Sequence, residues 1–153
     1  DQPRSRGLGD VYKRQIYKEV NEKMKSIKAR YLERQLIEEY IQKGREVVEN
    51  APKQPRLTLF DLESRERLAD ISFQLVATLS NLTDGFYSTK KFIVTKTDVK
   101  FTSLYRILYN HEDVFIGCNQ KLITHYIDEC ERVANEELGT LEDLKKEYDV
   151  NND

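Results

Sequence analysis

Proline is nearly absent from the body of this chain. Of 3 prolines, two fall together in Ala51-Pro52-Lys53-Gln54-Pro55, and none occurs from Arg56 to the end. Glycine is equally sparse, at 6. Proline removes a backbone donor and clashes with the preceding turn, and glycine adds backbone entropy, so both interrupt helices. A chain that avoids both, and is rich in Glu, Lys, Leu and Arg, meets few obstacles to helix, because straight side chains lose little rotamer freedom there. The expected fold class is therefore all-α: a long N-terminal helix, then a small helical domain. With 153 residues the chain can bury one real core.

The periodicity divides the chain into segments. Gly9 to Gln15 resembles translated sequencing-adapter sequence found at the ends of assembly fragments, so residues 1–15 are expected to be a non-native or disordered arm. From Ile16 to Asn50 apolar residues recur at helical spacing, first as Ile16, Val20, Met24, Ile27 and Tyr31. The stripe continues with drift through Leu32, Leu36, Tyr40, Ile41, Val47 and Val48. Glu39 and Lys43 support the exposed face, Gly44 weakens the last turns, and the two prolines stop the helix. A helical domain is expected over residues 56–150.

Within that domain, Thr58-Leu59-Phe60-Asp61 reads as a capping box, opening a helix to about Asn81 whose inner face holds Leu62, Leu68, Ile71, Leu75, Val76 and Leu79. Gly85 suits a positive φ at its end. Phe86 to Thr97 fits a strand or a short helix equally. Asp98 to Tyr109 reads as a helix with Val99, Leu104, Ile107 and Leu108 inward. Asn119 to Glu137 reads as another, burying Leu122, Ile123, Tyr126, Ile127, Cys130, Val133 and Ala134. Thr140 to Asp143 then opens a last short helix through Tyr148.

Charge is distributed unevenly. The formal net charge is −2, but between Phe86 and Asn110 five basic residues, Lys90, Lys91, Lys96, Lys100 and Arg106, face Asp98 alone. From His111 onward 4 basic residues face 12 acidic ones. A basic middle and an acidic tail are expected to meet different partners. Apolar runs such as Ile71 to Leu79 are too short for a bilayer, no secretory leader is evident, and Cys118 and Cys130 make no disulfide framework. A cytoplasmic setting without a membrane partner is expected.

The residues from Ser64 to Gly117 resemble the DNA-binding domain of the tetracycline-repressor family. Arg67 to Leu79 is similar to that family's first helix, Gly85-Phe86 to the following turn, and Ile93 and Val94 to its apolar pair. Ser103-Leu104-Tyr105-Arg106 resembles the recognition helix, and His111 to Val114 the cap of the next helix; Asp98 stands where the family has a turn glycine. The resemblance implies a helix-turn-helix at 90–109 that binds double-stranded DNA as a transcriptional regulator or mobile-element protein. Val99, Leu104 and Leu108 would anchor it. Lys100, Thr102, Ser103, Tyr105 and Arg106 would meet phosphates or base edges, while Lys90, Lys91 and Lys96 attract the backbone. Only about 36 residues follow the segment, so a ligand-binding half is not expected.

In that reading the long helix of residues 16–50 pairs with a second copy or a helical partner, since helix-turn-helix proteins commonly bind as dimers. The competing expectation is a helical interaction or assembly protein that binds no nucleic acid, in which Ser103 to Leu108 is ordinary packing. His111, Cys118, His125 and Cys130 lack the paired spacing of a zinc site, so no metal is expected, with Cys130 packed in the core and His125 at a helix surface. No phosphate-binding glycine loop, nucleophile elbow or His-Glu metal motif is present, so neither enzymatic activity nor a cofactor is expected.

Overall fold

The computed structural model describes residues 11–12, 14–15, 26–51, 60–83, 85–109 and 119–151; among them there is no strand. The helices are α1 (Ile27–Asn50), α2 (Leu62–Leu82), α3 (Thr89–Lys96), α4 (Phe101–Tyr109), α5 (Asn119–Glu137) and α6 (Leu141–Asn151). The all-α expectation holds, and the ambiguous segment before Asp98 is resolved as a helix.

Helix α1 starts later than its periodicity predicts. Ser26 is extended (φ −63°, ψ 150°), and its hydroxyl accepts from the Ala29 N–H at 3.0 Å. A serine that satisfies an orphan donor in this way ends the helix on its N-terminal side; residues 16–25 of the expected helix lie outside the described residues. The far end behaves as expected, since Ala51, preceding Pro52, is extended (φ −64°, ψ 141°). The buried face is Arg34, Ile37, Ile41, Gly44 and Val47. The predicted stripe was rotated: Leu32 and Leu36 are 52% and 40% exposed, because Ile37, Ile41 and Val47 make the narrower seam.

This seam is the centre of the molecule, with α2, α5 and α6 all packed against α1. Gly44 has a packing role: a Cβ there would lie 2.9 Å from Ile127 Cδ1, so its absence lets α1 and α5 approach closely. Arg45 adds ion pairs to Asp128 (2.7 Å) and Glu131 (3.2 Å) on α5. Arg30 pairs with Glu147 (3.3 Å) on α6, beside Tyr31 and Tyr148, whose rings meet at a tilt of 44°.

Helix α2 is capped by Asp61, whose carboxylate accepts from the Ser64 N–H at 2.8 Å; the Ser64 side chain first, then this N–H, hold it below its ordinary range. Asp61 is thus the cap itself and not the carboxylate three residues after a cap at Thr58, which lies outside the described residues. Leu62, predicted inward, is consequently first in the helix and exposed. At the other end Thr83 is extended and Gly85 has no positive φ; the one positive-φ glycine among the described residues is Gly139 (φ 108°), between α5 and α6. Helices α5 and α6 follow the expectation closely. The predicted apolar face of α5 is buried except for half-buried Leu122, and Thr140 Oγ1 accepts from Asp143 N at 3.2 Å. Helix α6 runs three residues past Tyr148, to Asn151.

Candidate nucleic-acid interface

Helices α3 and α4 form a short helical hairpin against α2. Ser88 caps α3 by accepting from Lys91 N at 3.3 Å, and only Phe92 and Ile93 of that helix are buried. The inward pair is therefore Phe92 and Ile93; Val94, matched by resemblance to an apolar position, points to solvent. Helix α4 starts at Phe101 and not at Asp98, because residues 97–99 make the turn and the Lys100 carbonyl accepts the first helical bond, from Leu104 N. Val99, Leu104, Ile107 and Leu108 are all buried, as expected of anchors on the two sides of a turn.

The buried anchors determine which side chains of α4 face outward. Thr102, Tyr105, Arg106 and Tyr109 are exposed, at the i, i+3, i+4 and i+7 positions that share one helical face. Lys100 is exposed immediately before the helix, whereas Ser103 is half-buried on its flank. Lys90 reaches the same region, its ammonium 5.6 Å from the centroid of the Phe101 ring. Lys91 and Lys96 instead gather at Tyr87, with ammonium groups 5.5 and 5.7 Å from that ring. The eight residues singled out in the sequence thus fall into three groups: the α4 face with Lys100 and Lys90, the Tyr87 cluster, and Ser103 to one side.

Phe101 and Tyr109, which flank the predicted Tyr105, and Tyr87 are aromatic members of the surface that were missed. Phe101, Tyr105 and Tyr109 stand one turn apart in a row, with ring centroids 5.5 and 5.1 Å apart and planes tilted by 38° and 33°. Their i, i+4, i+8 spacing was readable in the sequence, and Tyr87 carried no such signal. The rings lean on one another, and Lys90 sits over Phe101, so Tyr105 lies between two rings and Phe101 between a ring and an ammonium group. Partial burial, then the neighbouring Tyr105, push the Tyr109 hydroxyl up.

The turn between α3 and α4 is held by side chains of α5. Asp98 N–H donates to Glu129 Oε2 at 3.1 Å, His125 Nε2 lies 2.9 Å from the Asp98 carbonyl, and Arg132 Nη2 donates to the Lys96 carbonyl at 2.6 Å. A carbonyl only accepts, so His125 Nε2 carries the hydrogen. Glu129 is held in place by Arg132 Nε (3.2 Å) and Nη2 (2.9 Å), and Arg132 first, then the Asp98 N–H, keep its carboxyl below the usual range. Cys130, on the opposite face of α5, is fully buried, and burial pushes its thiol up to about 12, leaving it a small apolar core residue. His111 and Cys118 lie outside the described residues. No helix among the described residues is long and apolar enough to cross a membrane. No family model, curated protein or solved structure matches the chain.

Proposed function

We propose that the protein binds double-stranded DNA through α3, its turn and α4, as a helix-turn-helix of the tetracycline-repressor type, in a transcriptional regulator or mobile-element protein. The observation that carries this reading is the outward face of α4, where Thr102, Tyr105 and Arg106 stand together behind Lys100, on a helix whose opposite face is anchored by buried Leu104, Ile107 and Leu108. A recognition helix needs this division, with apolar anchors inward and donors outward at the groove. Arg106 supplies a fork of donors suited to guanine or phosphate, and the hydroxyls of Thr102 and Tyr105 suit phosphate oxygens. Lys90, Lys91 and Lys96 add sequence-independent attraction from α3.

The aromatic row favours a duplex over a single strand. Single strands are held by ring faces on which bases stack, and here Phe101 is engaged by Tyr105 and Lys90, and Tyr105 by both neighbouring rings. Hydroxyl edges serve phosphates instead. Pairing of two copies through α1 belongs to the same proposal, since helix-turn-helix proteins commonly read two half-sites; the exposed Leu32 and Leu36, one turn apart, support it. A helical protein partner on that stripe, without nucleic acid, is the second reading, and it rests on the same two leucines.

The test is binding of the chain to mixed-sequence duplex across a salt series, beside a Lys100→Glu, Arg106→Glu variant. Both side chains are exposed, so helicity and thermal stability should stay unchanged. Affinity should fall linearly on a log–log plot, with a slope reaching roughly −4.5 if all five basic groups meet phosphates, and should collapse in the variant. Absence of binding at low salt would exclude the duplex reading and leave the α1 stripe as the place to seek a protein partner.

A further inference from the structure

The turn between α3 and α4 lacks the device that usually fixes such a turn. Tight reversals often use a glycine with positive φ, yet Asp98 occupies the centre of this one, and no non-glycine residue among those described has a positive φ. The turn is not left to itself, however. Its backbone is bonded on three sides by a single helix that is not part of the hairpin.

His125, Glu129 and Arg132 are spaced i, i+4 and i+7 on α5 and so share one face. They engage three backbone groups of the turn: the Lys96 carbonyl by Arg132, the Asp98 N–H by Glu129, and the Asp98 carbonyl by His125. The clamp is itself braced. Arg132 bonds Glu129 through two nitrogens and Glu136 through a third, at 2.8 Å. Within the turn, Thr97 Oγ1 donates to the Ile93 carbonyl at 2.7 Å, closing the end of α3. The other face of α5 is buried core, and Arg45 ties α5 to α1. A rigid two-helix base therefore grips the backbone from which α4 departs.

We propose that His125, Glu129 and Arg132 are positioning residues for the nucleic-acid interface, holding the turn so that the Thr102, Tyr105 and Arg106 face of α4 meets the groove at a fixed angle. The inference rests on the duplex-binding reading of that face. None of the three touches the ligand; they act through the Lys96 and Asp98 backbone. Loss of a charge-assisted hydrogen bond at the pivot swings the helix, and small misalignments remove several contacts at once.

Substitution at Glu129 separates this role from general support. In Glu129→Ala the Asp98 N–H loses its acceptor, while Glu129→Gln keeps an acceptor oxygen at the same place. The readouts are hydrogen exchange of the Asp98 amide by NMR, and affinity for duplex DNA at one salt concentration, with helicity and melting as controls. Glu129→Ala should lose protection at Asp98 and bind about tenfold more weakly, as expected for one such bond. Glu129→Gln should restore most of both, and Glu136→Ala, which removes only the outer brace, should change affinity little. If Glu129→Ala exposes the Asp98 amide yet binds duplex as tightly as the parent, the positioning role is overturned. If the Asp98 amide stays protected, the clamp itself is overturned. Failure of the parent chain to bind duplex would instead sink the interface reading, with the Asp98 result showing separately whether the clamp exists.

Discussion

Arg34 is the most deeply placed charge among the described residues, 3% exposed in the seam between α1 and α5. Its guanidinium donates to Asn135 Oδ1 from Nη2 (2.9 Å) and Nε (3.3 Å), with Glu38 3.4 Å away on its own helix. A buried cation is tolerable only while its donors are satisfied. Asn135→Leu should therefore destabilise the fold by about 2 kcal/mol, the scale of a lost hydrogen bond to a charged group. Arg34→Met, Asn135→Leu together should recover much of that loss, since an apolar pair leaves no orphaned charge in the seam. Urea unfolding of both variants and of Arg34→Met alone closes the cycle; simple additivity would show that Arg34 reaches water and the seam is looser than it looks. In the sequence Arg34 was indistinguishable from the exposed charges around it. Apolar periodicity scores a buried arginine as a surface residue, and this helped rotate the predicted stripe toward Leu32 and Leu36.

Element boundaries were set by single side chains competing for backbone donors, and this is where reading from sequence succeeded or failed. Thr140, as a cap, and Ala51, as the residue before a proline, did what their chemistry predicts. At the start of α2, two hydroxyl or carboxylate candidates stood three residues apart, and pattern alone could not say that Asp61 would win over Thr58. The α3–α4 hairpin was foreseeable in its anchors, Val99, Leu104 and Leu108, but its turn was not, because the groups that hold it come from α5, some thirty residues later. The pH response of this clamp follows from Glu129. Its folded carboxyl is held below the ordinary glutamate range, by Arg132 first, so its contribution is complete above that range and is lost as pH falls through the depressed folded value. The stability difference between the parent and Glu129→Gln should be constant near neutrality and shrink on acidification below about pH 4.5, where the unfolded carboxyl protonates. Denaturant melts over a pH series check this, and a gap that persists undiminished to about pH 2 would mean that Glu129 carries no depressed titration.

At the scale of the whole molecule, the acidic and basic segments meet only in part. Helix α6 packs on α1, whereas the basic face belongs to α3 and α4, which pack on α2 and on each other, with α4 also against the acidic helix α5. A chain of net charge −2 should not be drawn to DNA as a whole; under the proposed duplex-binding function, only the local excess on the hairpin would attract phosphate. The range of the field would then decide binding. At physiological ionic strength the Debye length is about 8 Å, so acidic groups on other elements are screened from the duplex, while at about 0.01 M it is near 30 Å and they are felt. Glu137 and Asp149, exposed at the end of α5 and on α6, are suited to test this. Glu137→Gln with Asp149→Asn should raise duplex affinity about twofold at low salt and leave it unchanged at physiological salt, steepening the salt dependence without touching the interface. Fluorescence anisotropy at the two ionic strengths reads both numbers. An equal gain at both would mean that these carboxylates lie against the bound duplex, and the contact surface would then have to extend beyond α3 and α4 to the acidic C-terminal helices.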